Sequence, residues 1–106
     1  MPKPLPSGVL DALGDAHRRA ILEILATGPR SVQQIADALP FSRPAVSRHL
    51  RLLKDAGLVI DEAAGARRVY ALRADGIEAV AAYFRQVWGE AAARFRLAAE
   101  NTDPEE

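Results

Sequence analysis

The chain has 106 residues, which suits a single domain whose core is small enough that pairing with a second copy would add stability. It is 49% hydrophobic and 26% charged and contains no cysteine, which excludes disulfides and thiolate metal sites. The formal net charge is zero, no apolar run approaches the roughly 18 residues of a membrane span, and no signal-peptide pattern opens the chain, so we expect a cytoplasmic protein.

Two short helices are predicted behind an N-terminal arm. Residues 1–7 contain three prolines and are expected to form a flexible arm. One helix is expected over 8–13 and a second over 16–26, both with apolar residues at helical spacing. Asp15 is placed to cap the second helix and to form a structural ion pair with Arg18.

Residues 31–57 carry the most informative pattern of the chain. Ser31 and Gln34 have the spacing of a capping box, which predicts the start of a helix. A Pro-Phe pair ends that helix, and Ser42 is placed to cap the next one. Two short helices joined by a tight turn form a helix-turn-helix, the arrangement by which many proteins place a recognition helix in the DNA major groove.

The second of these helices, over 42–56, has one apolar and one basic face. Val46, Leu50 and Leu53 recur at helical spacing and are expected to face the core, while Gly57 ends the helix with a Schellman cap. The polar and basic residues that remain are expected to face outward: Arg43, Ser47, Arg48, Arg51 and Lys54.

After Gly57 the periodicity changes to that of strands. An apolar run and an alternating segment over 66–73 predict a β-hairpin wing within 58–73, with its turn at 63–66. The wing carries Arg67 and Arg68 just past its tip. Because neighbouring side chains of a strand point to opposite faces, only one of these arginines is expected to reach DNA.

A long helix from about residue 75 to about residue 99 is predicted to close the fold, so that the domain spans 8–97 and an acidic flexible tail spans 98–106. The helix carries a wide apolar stripe, which could pack only on its own domain or could also pair with a second subunit. Since the stripe contains three aromatic residues, we expect a homodimer. The predicted interface is Leu10, Leu13, Val80, Phe84, Val87, Trp88, Ala91 and Phe95.

The zero net charge hides an uneven distribution. Residues 40–73 hold seven cations and three acids, a net charge of +4, whereas residues 98–106 hold four acids and no cation. A positive segment that coincides with a helix-turn-helix and a wing is a candidate footprint for double-stranded DNA.

Three local motifs resemble the ArsR/SmtB family of bacterial winged-helix repressors. They are ALGDAHRRAILEIL at 12–25, SRPAVSRHLRLLKDAGLV at 42–59 and GARRVYAL at 65–72, and they occur in the order found in that family. The resemblance implies a mainly α fold with a β-hairpin wing, in the order α-α-α-α-β-β-α, in a dimer. It also implies a sequence-specific transcriptional regulator that acts as a repressor on an inverted-repeat operator.

The metal-sensing members of the family have ligands that this chain lacks. Residues 31–34, where thiolate sensors carry cysteine, contain none, and the last helix offers Asp75, Glu78 and Glu90 without a histidine. The two histidines of the chain, His17 and His49, lie on different predicted helices. We therefore expect no metal site, no cofactor and no metal sensing, while an unidentified small-molecule effector stays open.

The DNA-binding roles follow from position along the motif. Arg43 and Arg48 lie in the half of helix 42–56 that reaches base edges, where arginine can bond to guanine. Arg51 and Lys54 lie further along and are expected to contact phosphate, as is one wing arginine in or beside the minor groove. The remaining candidates are Ser42, Ser47 and His49, of which Ser42 is also a cap and His49 could instead make a structural hydrogen bond.

No enzyme is predicted. Ser47 and His49 are two positions apart on a helix, so they face different directions and cannot form a nucleophile and base pair. The alternative from another functional class is a winged-helix module that binds a protein rather than DNA, which a neutral or acidic recognition helix would favour.

Overall fold

A computed structural model describes residues 3–101, apart from the side chain of Asn101. Residues 102–106, which hold most of the predicted acidic tail, and residues 1–2 of the predicted arm lie outside the described residues. The predicted fold is confirmed: it is mainly helical with a β-hairpin wing. The elements in chain order are α1 (Val9–Leu13), α2 (Ala16–Leu25), β1 (Arg30–Ser31), α3 (Val32–Ala38), α4 (Arg43–Asp55), β2 (Val59–Ala64), β3 (Arg67–Leu72) and α5 (Ala74–Asn101).

The start of α2 is built by Asp15. Its Oδ1 accepts hydrogen bonds from the backbone N–H groups of His17 (2.8 Å) and Arg18 (3.2 Å), as an N-cap does. The Arg18 guanidinium instead donates to the carbonyl oxygens of Ala12 and Asp11, both at 2.9 Å, so the expected Asp15–Arg18 ion pair does not form. Within the predicted arm, Leu5 packs against the hydrophobic core.

The helix-turn-helix has the predicted caps at both of its starts. Ser31 and Gln34 form a full capping box, and the Ser42 hydroxyl accepts a hydrogen bond from the N–H of Ala45 at 3.2 Å. The apolar face of α4 is sealed into the domain, since Val46, Leu50 and Leu53 have no exposed surface. The rest of the buried core comprises Val9, Ala12, Ile21, Leu25, Ile35, Leu58 and Val59.

Helix α4 ends in a Schellman motif. Gly57 has φ +80°, which glycine adopts at little cost, and its N–H donates to the Lys54 carbonyl at 3.0 Å. The N–H of Leu58 donates to the Leu53 carbonyl, also at 3.0 Å. The chain therefore turns directly from the recognition helix into the wing.

The wing is the larger part of a three-stranded antiparallel sheet with the order β1-β3-β2. The predicted turn at 63–66 is too long, because Ala63 and Ala64 pair with β3 and leave only residues 65–66 as the loop. The sequence did not predict β1, whose two residues pair with Tyr70 and Val69 of β3 and fasten the wing to the start of α3.

Helix α5 begins against the end of α4 and then leaves the domain. A Cβ atom at Gly76 would overlap the carbonyl oxygen of Gly57, so only glycine permits this approach. Ile77 and Val80 pack on the core, whereas every residue from Trp88 to Glu100 is exposed. This projection accounts for the elongated shape of 69 × 28 × 21 Å.

Candidate nucleic-acid interface

The outward face of α4 carries three exposed arginines, at positions 43, 48 and 51. Arg48 and Arg51 are exposed, and within residues 3–101 neither forms a hydrogen bond or an ion pair. Arg43 is also exposed, and its Nη1 donates to the Gln33 side-chain oxygen of α3 at 3.3 Å. Two guanidinium groups on this face are therefore available to an anionic partner, and a third is held by one weak contact.

The polar candidates of α4 are less accessible than the arginines. Ser42 is exposed, but its hydroxyl oxygen already serves as the N-cap of α4. Ser47 is half-buried. His49 retains only 7% of its surface and faces the domain rather than the outward side of α4. His49 therefore lies behind the basic face, and its contact with DNA stays a prediction.

His49 does not make the structural hydrogen bond considered as its other role. Its Nδ1 is buried without a hydrogen-bond partner in the described part of the chain, an arrangement that costs about 1–3 kcal/mol when nothing else satisfies the atom. Burial is the main cause that lowers the pKa of His49, and Asp15 opposes this shift with its negative charge. The imidazole of His49 is therefore buried near polar groups, none of which forms a hydrogen bond with its Nδ1.

The cluster around His49 brings together residues that the sequence analysis kept apart. The His17 ring lies over Phe41, with centroids 4.2 Å apart, and meets the His49 ring edge-on at 5.6 Å. Potential ligand atoms of Asp15, His17 and His49 all lie within 4.8 Å of one another. The expectation that two histidines on different helices provide no convergent ligand set is therefore wrong.

Asp61 joins the recognition helix to the wing. Its carboxylate receives the Lys54 ammonium of α4 at 2.7 Å and the Arg68 guanidinium of β3 at 2.9 Å. The hydrogen bond from Lys54, followed by that from Arg68, holds the pKa of Asp61 below its ordinary value, although partial desolvation opposes the shift. Both cations remain more than half exposed. Asp61 therefore fixes their positions and leaves them accessible to solvent.

The two wing arginines differ in their surroundings, in accord with the expected alternation. Arg68 is committed to Asp61, whereas Arg67 is exposed beside the turn and has no hydrogen bond or ion pair among residues 3–101. Asp61 itself was missed by the sequence analysis. The available signal was the pair of adjacent acids Asp61 and Glu62 between the cations of α4 and those of β3, but strand register was needed to show which acid pairs with Lys54 and Arg68.

The predicted dimer residues divide into two groups. Val80 and Leu13 pack against the core of their own domain, and Phe84 and Val87 are half-buried. The others are exposed to solvent: Leu10 at 52%, Trp88 at 64%, Phe95 at 75%, and Ala91. Exposed aromatic residues on one side of a projecting helix form the kind of apolar surface that marks an interaction site.

Comparisons with known proteins identify the family. Residues 15–61 match the family described as bacterial regulatory protein, arsR family. The HTH-type transcriptional regulator Rv2034 of Mycobacterium tuberculosis is 49% identical over 86 residues, which cover 81% of this chain and 80% of the relative. This chain belongs to the ArsR family.

Two further relatives agree with this placement. The HTH-type transcriptional repressor SmtB of Mycobacterium tuberculosis is 38% identical over 78 residues, which cover 67% of this chain and 58% of SmtB. The solution structure of the homodimeric winged helix-turn-helix DNA-binding domain of Mb0332 from Mycobacterium bovis has a TM-score of 0.66 at 31% identity. That alignment covers 84% of this chain and 82% of the Mb0332 domain.

Family membership makes this ArsR-family chain a transcriptional regulator with a DNA-binding winged helix-turn-helix, not an enzyme. Within residues 3–101, no helix is both long and apolar enough to cross a membrane.

Proposed function

We propose that this ArsR-family regulator is a homodimeric transcriptional repressor that binds an inverted-repeat operator through α4 and the wing. The observation that carries the proposal is the division of α4 into a sealed apolar face and an outward basic face on which Arg48 and Arg51 have no partner among residues 3–101. The name of SmtB, a repressor 38% identical to this chain, supports the direction of regulation.

The positions along α4 suggest distinct roles for its cations. Arg43 and Arg48 lie in its first half, which reaches base edges in helix-turn-helix complexes, and arginine can make two bonds to guanine. Arg51, Lys54 and a wing arginine contribute charge toward phosphates. In a two-fold dimer the two copies of α4 would enter successive major grooves about 34 Å apart, which makes the operator an inverted repeat.

The DNA-reading roles can be tested with an operator selected from random-sequence duplexes by the full chain. Arg48→Ala should weaken operator binding by about 1–3 kcal/mol and random-duplex binding much less, as measured by fluorescence anisotropy. Arg85→Ala removes an equal charge from α5, where Arg85 pairs with Glu78 at 2.7 Å, and should leave both affinities unchanged.

Two results would contradict this reading. If Arg43→Ala and Arg48→Ala each lose as much affinity for random DNA as for the operator, these arginines do not read bases. If both variants bind DNA as tightly as the wild type, the helix-turn-helix does not bind DNA through α4, and a protein-interaction module is favoured. The repressor role has a separate test, since a reporter with the selected operator in its promoter should lose expression when the wild-type chain is present.

The dimer is supported by the exposed apolar side chains of α5 and α1. Burying a side chain such as that of Trp88 or Phe95 contributes about 1.5–3 kcal/mol, so several of them would stabilise a symmetric interface. Sedimentation at low micromolar concentration should give a dimer, and Trp88→Glu should weaken it. Gln86→Glu adds the same charge to another face of α5 and should not. A wild-type monomer would contradict the proposal.

A further inference from the structure

We propose that Asp15, His17 and His49 bind one divalent transition-metal ion, with Zn²⁺ as the best match, and that its binding changes the affinity of α4 for DNA. The second part rests on the proposed function, whereas the first does not. The site lies between the start of α2 and the middle of α4. It is separate from residues 31–34 and from the acids of α5, where the family resemblance places metal ligands.

The geometry is close to that of a three-ligand metal site. The candidate ligand atoms lie within 4.8 Å of one another, whereas tetrahedral coordination with bonds of about 2.1 Å places ligand atoms about 3.4 Å apart. His17 is exposed and can rotate toward the others. The N-cap hydrogen bonds of Asp15 use Oδ1, which leaves Oδ2 for a metal ion.

The donor set indicates the class of metal. Two imidazole nitrogens and one carboxylate oxygen suit Zn²⁺, Co²⁺ and Ni²⁺, whereas Mg²⁺ and Ca²⁺ prefer oxygen ligands alone. Three protein ligands with a water molecule on the open side is a common zinc arrangement. Because His17 is exposed, this cluster has such an open side.

A second, independent observation is the orphaned nitrogen of His49. The residue is 7% exposed, and its Nδ1 has no hydrogen-bond partner among the described residues, although buried polar atoms are almost always paired. The Arg18 guanidinium, held by the carbonyls of Ala12 and Asp11, opposes a cation here, while the Asp15 carboxylate offsets it.

Metal binding at this position would act on the recognition helix directly. His49 follows Arg48 in α4, and its two partners belong to the start of α2. Contraction of the cluster would therefore draw the middle of α4 toward α2 and shift the arginine face. Coupling of this kind is reciprocal, so DNA must change the affinity for Zn²⁺ by the same factor as Zn²⁺ changes the affinity for DNA.

The binding test uses the full chain, Zn²⁺ in calorimetry and Co²⁺ as a spectroscopic probe. One equivalent should bind, Co²⁺ should give the intense visible absorption of four-coordinate cobalt, and the NMR signals of both histidines should move. The chain has only two histidines and no cysteine, so these signals have no other imidazole or thiolate source.

Three variants identify the ligands. Asp15→Ser keeps an N-cap residue but removes the carboxylate, and His17→Ala changes an exposed position, so both should fold. Since loss of even an outer-shell partner costs 10–100-fold, each should lower Zn²⁺ affinity at least about tenfold. Glu23→Ala, which removes an exposed acid from α2, should not change it. Absence of binding, or equal binding by all variants, would overturn the site.

Regulation is tested separately by measuring operator affinity with Zn²⁺ and with EDTA. A change of at least about fivefold that is absent in His17→Ala is expected. If both histidines bind Zn²⁺ and operator affinity stays the same, the regulatory part is wrong and the site stands. If no DNA binds in either condition while Zn²⁺ binds, the proposed function fails instead.

Discussion

Replacement of Asp61 by asparagine should separate two effects of the link between α4 and the wing. In the wild type, one carboxylate with 7% exposure holds Lys54 at 2.7 Å and Arg68 at 2.9 Å. Asp61→Asn removes the charge and keeps the size. We expect a less stable fold and a higher affinity for DNA, because the two cations lose an internal acid that competes with phosphates.

The magnitudes follow from the exposure of the three groups. Ion pairs whose cations are largely exposed contribute about 0.2–1 kcal/mol each, so loss of both should cost about 1 kcal/mol. In a domain of this size that corresponds to a melting temperature lower by about 4–8 °C. Each additional phosphate contact steepens the plot of log affinity against log salt by about 0.9, so two released cations would add at most about 1.8.

The loss of stability in Asp61→Asn should depend on pH. Because the pKa of Asp61 is lowered from 3.8 in the folded state, its pairing stabilises the protein above that value and is lost as the pH falls through the lower folded value. The difference in melting temperature between wild type and Asp61→Asn should therefore be full at pH 7. It should shrink as the pH falls below about 5, where aspartate begins to protonate in the unfolded chain, and vanish below the lowered folded pKa of Asp61.

The matched control is Glu62→Gln. Glu62 is the next residue of β2 and is exposed. Its replacement by glutamine removes one negative charge, as Asp61→Asn does, but on the other face of the strand. Anisotropy on a random-sequence duplex between 50 and 200 mM salt and thermal denaturation are the two assays. If Asp61→Asn melts like the wild type and gains no more DNA affinity than Glu62→Gln, Asp61 neither stabilises the fold nor competes with DNA for Lys54 and Arg68.

Three further changes address the fold and the interface. Gly76→Ala places a Cβ against the Gly57 carbonyl and should destabilise the domain by about 1–3 kcal/mol in denaturant unfolding, whereas Gly89→Ala, with open space around it, should not. Arg51→Ala should weaken operator and random DNA alike and reduce the salt slope by about 0.9; an unchanged slope would exclude a phosphate contact. Ser31→Ala removes the capping-box hydroxyl and should cost about 0.5–2 kcal/mol, and an unchanged unfolding midpoint would contradict that role.

Local signals predicted the helix-turn-helix closely. The capping box at Ser31 and the Schellman motif at Gly57 each depend on residues within six positions of one another. Their residue types and spacing are therefore sufficient to predict them. The apolar face of α4 was equally readable from its period. The same reasoning placed Arg48 and Arg51 on the outward face, where they lie.

Features that depend on long-range packing were not readable. Strand β1 has two residues and no strand pattern of its own, and it exists because β3 offers a free edge beside the start of α3. The turn of the wing was predicted two residues too long because alanine gives no boundary signal. Asp15 and His49 are far apart in sequence, and only the docking of α2 on α4 brings them together.

The position of α4 therefore depends on contacts of two kinds. Its inner face is held by side chains with no exposed surface, which fix the helix in the domain but do not respond to pH, salt or ions. Its polar contacts are different: Lys54 near the end of the helix binds Asp61, and His49 in the middle faces Asp15 and His17. Both can change with solution conditions while the apolar core stays intact. Arg48 is adjacent to His49, and Arg51 lies between the two contacts. Under our proposal, a metal ion bound at His49 would therefore reorient the basic face without occupying it.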